Sequence, residues 1–155
     1  MRFRDTIDEL TPEDRELLLN RLTLGCGRVA YAARLALADA PGGAVVDMLA
    51  AAQAALAGAA GALRDGPPAA ALSRNGAGDE GGERRTLPWG DLLATRPPAE
   101  AAALTADLEA LAHQTRELGR AVRADADAAH VGRHLAAILG ALTDLRRRIA
   151  AAVAP

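Results

Sequence analysis

Apolar residues recur along this chain at steps of three and four, the spacing that lines side chains along one face of an α-helix. Leu18, Leu22, Gly25, Val29, Ala32 and Ala36 form the first such stripe, widened by Leu17, Leu24, Tyr31 and Leu35. Its start is marked by a hydroxyl cap at Thr11, Pro12 at the first helical position and Asp14 three residues after the cap. Pro41, Gly42 and Gly43 end it. A second stripe, Val45, Leu49, Ala52, Leu56, Ala59 and Leu63, predicts a helix from about Ala44 to Arg64, stopped by Asp65, Gly66, Pro67 and Pro68. A third helix begins near Pro98 and carries Leu104, Leu108, Leu111, Thr115, Leu118 and Val122. A fourth carries Val131, Leu135, Ile138, Leu142, Leu145 and Ile149.

No glycine or proline separates the third stripe from the fourth, so phase has to decide whether they are one helix. Val122 and Val131 would fall on opposite sides of a single straight helix at about 100° per residue. A turn near Asp125 to Asp127, with Asp127 as the next N-cap, puts both stripes on one core. The alternative is a continuous helix exchanged between the copies of a swapped dimer. Residues Gly66 to Thr86 hold five glycines, two prolines and mixed charges, and their apolar content is too low to offset the entropy of ordering them. They read as a flexible linker. After it comes a short apolar island, Leu87 to Leu93, closed off by Pro97 and Pro98.

These elements define an all-α chain, 1–155 as a single domain, expected to be a four-helix bundle made of two helical hairpins joined by the 66–86 linker. Composition agrees. About a quarter of the residues are Ala and only 2% are aromatic, so the β-branched and aromatic residues that fit a pleated sheet are scarce. Small residues gather on the second helix, where Ala51, Ala55, Gly58, Ala59, Gly61 and Ala62 let a neighbouring helix approach closely. An exposed remainder of the apolar stripe would then allow pairing with a second copy as a homodimer.

All 18 basic residues are Arg, which reads as GC-rich coding and argues against counting Arg as functional. The formal net charge of -2 lacks the basic excess of a nucleic-acid binder, so no nucleic acid is expected as partner. Leu10 to Leu22 resembles the opening helix of small bacterial regulators, but no turn and basic recognition helix follow it, and no family is assigned. Met1 to Leu10 lacks the apolar core of a signal peptide, which makes the cytoplasm the expected location. Ala44 to Leu63 is long enough to span a bilayer, yet it is mostly Ala and Gly and carries Asp47 and Gln53, so no membrane span is expected.

Candidate chemistry is sparse. Asp127, His130 and His134 fall on one helical face and form the candidate metal set, without the paired Glu-x-x-His motifs of a di-iron bundle. His113 lies opposite the third stripe. Cys26 is the single cysteine and reads as a buried, inert thiol. The single serine, Ser73, sits in the linker, where no base or oxyanion hole can be held in register with it. Arg146, Arg147 and Arg148 suit the last turns of a helix, where positive charge is favoured. No catalytic site and no cofactor are expected. Trp89, Leu92 and Leu93 either plug an open end of the bundle or anchor a partner protein, because Trp anchors dominate interface energetics. The leading expectation is a non-catalytic protein-interaction or regulatory accessory protein, with partner-binding residues Trp89, Leu92 and Leu93. The alternative is a metal- or ligand-binding bundle built on Asp127, His130 and His134, and a weaker one is a DNA-binding regulator.

Overall fold

A computed structural model describes residues 1–65 and 83–154. Most of the expected linker, with Ser73, lies outside the described residues. The chain is all-α, and among the described residues six helices and one short 3₁₀ turn account for nearly all of the backbone: α1 (Phe3–Asp8), α2 (Pro12–Leu37), α3 (Gly42–Asp65), the 3₁₀ turn Glu83–Thr86, α4 (Trp89–Ala94), α5 (Pro98–Arg123) and α6 (Ala128–Val153).

Local chemistry sets the helix ends. The Thr11 hydroxyl accepts a hydrogen bond from the Asp14 amide at 3.1 Å and Pro12 opens α2. Asp127 does the same for α6, accepting from the Ala129 amide at 3.1 Å. Both tight turns between long helices use an aspartate in the left-handed region, Asp39 at φ 60° after α2 and Asp125 at φ 58° after α5. Aspartate tolerates that conformation better than most residues because its short side chain bonds locally.

Each long helix lies against two others: α2 against α3 and α5, and α6 against α3 and α5. All four neighbour pairs run antiparallel. Gly25 of α2 faces Leu56 of α3, Gln53 of α3 donates to Thr143 of α6 at 3.1 Å, Arg148 of α6 pairs with Asp107 of α5 at 2.6 Å, and Leu22 of α2 lines a groove with Leu118 of α5. The stripes read from the sequence turn inward together, with Leu18, Leu49, Leu56, Leu104, Leu111, Leu118, Ile138 and Leu142 almost wholly buried. Thr115 is the one buried polar residue among those described, and its hydroxyl donates to the Ala112 carbonyl at 2.8 Å.

Two short helices close the ends. At one end Phe3 of α1 is buried, and the Phe3 amide donates to the Ala126 carbonyl at 2.8 Å while the Arg4 amide donates to Asp125 Oδ1 at 2.7 Å. At the other end Trp89 and Leu92 of α4 are buried beside the α2–α3 turn. Neither helix is visible as a period, because six residues make fewer than two turns. The expected 66–86 linker also needs a correction at its C-terminal edge, since Glu83–Thr86 is a 3₁₀ turn tied to the core. There the Arg85 guanidinium reaches Asp47 at 2.6 Å and the Gly43 carbonyl at 3.3 Å, and Arg84 donates to the Ala152 and Ala154 carbonyls at 3.5 and 3.4 Å. Charged composition there marks ion pairing and not freedom.

α2 and α3 approach each other closely at Gly25. A Cβ built on Gly25 would lie 2.4 Å from Leu56 Cγ, and Leu56 is fully buried and has nowhere to go. Gly25→Ala should therefore destabilise the fold by about 1–2 kcal/mol net, overpacking outweighing the roughly 1 kcal/mol that alanine gains in helix propensity. Gly140 of α6 meets nothing within 4 Å, so Gly140→Ala should stabilise instead. Denaturant midpoints of the two variants measure both signs, and a stabilising Gly25→Ala would contradict the close approach.

Candidate functional site

The partner-binding candidates of the apolar island lie mostly inside the protein. Trp89 is 5% exposed and Leu92 1%, while Leu93 is half-buried. Backbone bonds staple this segment to the α2–α3 turn: the Trp89 amide donates to the Ala40 carbonyl at 2.8 Å and the Gly42 amide to the Leu87 carbonyl at 2.9 Å. The Asp39 side chain accepts from the Gly90 amide at 2.6 Å. In this arrangement the indole meets the chain's own core, so docking through it would require α4 to detach.

The metal candidates are divided by their hydrogen bonds. Asp127 accepts from the Met1 ammonium at 3.2 Å and caps α6, and the ammonium holds its carboxyl below the usual carboxylate range. The His130 and His134 rings lie 5.9 Å apart, centroid to centroid, and tilted. His130 is exposed, whereas Nδ1 of half-buried His134 is buried without a hydrogen-bond partner. Among the described residues no group of three or more His, Cys, Asp or Glu side chains is placed to hold a metal ion. His113 is exposed, 4.0 Å from Glu117. Of the Arg146 to Arg148 run, Arg147 and Arg148 are paired with Asp144 at 2.6 and 3.0 Å, and Arg148 also with Asp107.

Cys26 borders two shallow grooves between α2 and α5. One, of about 230 Å³, is floored by Leu19, Leu22, Leu118 and Val122. The other, of about 310 Å³, is rimmed by Arg116, Arg120 and Arg123. These sit at or below the low end of ligand-pocket sizes and are open to solvent. Burial pushes the Cys26 thiol up to about 11, so the thiol form persists at neutral pH.

The feature that the fold does not use lies on the outside of α2. Leu17, Leu24 and Tyr31 are 42%, 49% and 46% exposed, at strict seven-residue spacing. Seven residues fall only about 20° short of two full turns, so the three share one flank of the helix. Arg21 and Arg28, one turn to either side of Leu24, lie over towards α3: the Arg21 side chain packs against Gly58, and Arg28 reaches the Ala51 carbonyl at 3.5 Å. The flank therefore sits on the α3 side of α2. The small residues Ala55, Gly58, Ala59 and Ala62 of α3 are buried, so they serve the packing of α2 within the chain. Sequence reading had the signal for this flank, since Leu17, Leu24 and Tyr31 were legible as a widening of the stripe. It assigned them to the core because periodicity alone does not tell how wide a face the neighbours cover.

The chain matches no protein-family model, no curated protein and no solved structure.

Two measurements follow from these placements. Trp89→Ala should cost on the order of 3 kcal/mol, and the wild-type indole should emit at short wavelength and resist quenching. A red-shifted, readily quenched emission would contradict the buried position. Alkylation of Cys26 at about pH 8 should run about tenfold or more slower than for a free cysteine, rising only as pH approaches the raised thiol value. A rate equal to that of the free amino acid would show the thiol to be solvated.

Proposed function

We propose that the chain is a non-catalytic interaction or regulatory accessory protein of the cytoplasm, built as a four-helix bundle of two hairpins, and that its docking surface is the outer flank of α2. The observation that carries this reading is the exposed row Leu17, Leu24 and Tyr31. Single exposed leucines are ordinary, but three large apolar side chains in register on one helix are what a helical partner recognises. The bundle reading draws on the four antiparallel neighbour pairs and on the two tight turns at Asp39 and Asp125. It draws also on the chain path, which leaves α3 beside α1 and resumes at Glu83 beside the opposite end, as in bundles with one long crossover.

The interior supports a non-catalytic reading: among the described residues Thr115 is the one polar residue classed as buried and is already satisfied, and the half-buried Cys26 thiol is pushed up to about 11, away from the thiolate that a nucleophile needs. α3 from Gly42 to Leu63 is long and apolar enough to cross a membrane by length and composition. Its position between α2 and α6 supports reading that character as core packing.

The test uses the full-length tagged chain as bait in its native host. Proteins retained by the wild type, copies of the chain included, should be lost with Leu24→Arg and kept with Arg133→Ala on the exposed side of α6. Leu24 is half exposed, so Leu24→Arg should move stability by less than about 1 kcal/mol. Identical retention by both variants would remove this flank as the docking surface.

A further inference from the structure

The charges that border the exposed flank of α2 are divided along the helix. Glu13 and Glu16 stand exposed in its first turns, and Arg34 stands exposed in its last, with its guanidinium 5.8 Å from the centre of the Tyr31 ring. Leu24 lies midway between Leu17 and Tyr31. From this geometry we infer that the flank binds a second copy of the same flank, with the two α2 helices antiparallel and a two-fold axis at Leu24. The inference rests on the docking role proposed for this face.

Direction follows from charge. In the antiparallel arrangement Leu24 meets the other copy's Leu24, and each Leu17 meets the opposite Tyr31. Glu16 then stands across from Arg34 on the same edge of the contact, twice over, since a two-fold pairing repeats every contact. A parallel arrangement would gather Glu13 and Glu16 of both copies at one end and both Arg34 at the other, without a charge of opposite sign across from either, and like charges gathered together are unfavourable. Arg21 and Arg28 do not stand between the copies, because Gly58 gives Arg21 room to lie across α3 and the Ala51 carbonyl draws Arg28 the same way. Their aliphatic stems then extend the apolar surface offered to the second copy. A helical partner of another kind would need a matching division of charge, whereas the second copy carries it by construction.

The experiment measures molar mass by light scattering and sedimentation of the full chain, up to roughly 100 µM. The expected result is twice the chain mass for the wild type and a monomer of unchanged helix content for Leu24→Arg. Glu16→Arg should weaken the dimer by on the order of fivefold, and adding Arg34→Glu to the same chain should restore it. Orientation is read by oxidation in a Cys26→Ser background. Leu24→Cys should cross-link to itself, whereas Arg34→Cys should not, because ten residues on each side of the axis separate the two sulfurs by roughly 30 Å. A wild-type monomer throughout this range overturns self-pairing and leaves the flank to another protein or to the chain's own residues 66–82. In that case loss of a different captured protein with Leu24→Arg would keep the docking surface while removing its second-copy occupant. A dimer that survives Leu24→Arg, or cross-linking at both positions, also overturns the proposal.

Discussion

The close approach of α2 to α3 is the constraint on which the rest of this structure depends. Gly25 leaves no side chain between the two backbones, and Leu56 fills the space where its Cβ would stand. Around that point the facing residues are small, with Ala32, Ala52 and Ala59 fully buried. Small interfacial residues bring helices together at the near end of their normal separation, and dense packing is then recovered without bulky side chains. The consequence is a thin core. Its volume comes mainly from Leu on α5 and α6, which interdigitate from the opposite side.

A thin core leaves its ends hard to close, and the chain spends its largest residues there. Phe3 and Trp89 are the only phenylalanine and tryptophan, and each sits on a six-residue helix at one end of the long ones. The same turn chemistry fixes both plugs. Asp125 and Asp39 hold left-handed backbone conformations that reverse the chain, and each also turns its carboxylate onto a backbone amide of the neighbouring short helix, Arg4 and Gly90 respectively. One residue type thus ends a long helix and anchors a short one. An alanine in either place would lose the hydrogen bond and keep the unfavourable backbone conformation.

The long helices were legible in the sequence because twenty-odd residues of three-four periodicity, capped by Thr11 and Asp127, leave little room for another reading. The break between α5 and α6 was legible for a different reason: the stripes on either side are out of phase, and only a turn brings both to one core. The short helices were not, since their single turns carry no period and their stability comes from the ends they cover. Charge misled at Arg84 and Arg85, where a run that looks solvated closes onto Asp47 and the last carbonyls of α6. At the candidate site the residue types were visible but their exposure was not, because Leu18 and Leu17 differ by one position in sequence and by the whole depth of the fold in burial.

That one-position difference separates what the fold requires from what it leaves over. Leu18, Leu22, Val29 and Ala32 complete the inner face of α2, so the helix is already anchored without Leu17, Leu24 and Tyr31. Leaving three large apolar groups half in water forgoes burial free energy that a polar residue at the same positions would not need, since hydrophobic stabilisation scales with the area removed from water. The third aromatic residue, Tyr31, is also the one that plugs nothing: its ring stands outside, under the guanidinium of Arg34. A core made of methyl groups has every use for a spare leucine or tyrosine, and this chain keeps these three on its surface. The fold leaves their placement unexplained, whereas the docking role proposed for this face would account for it, and the division of charge along the same helix would then give that surface a direction as well as a location.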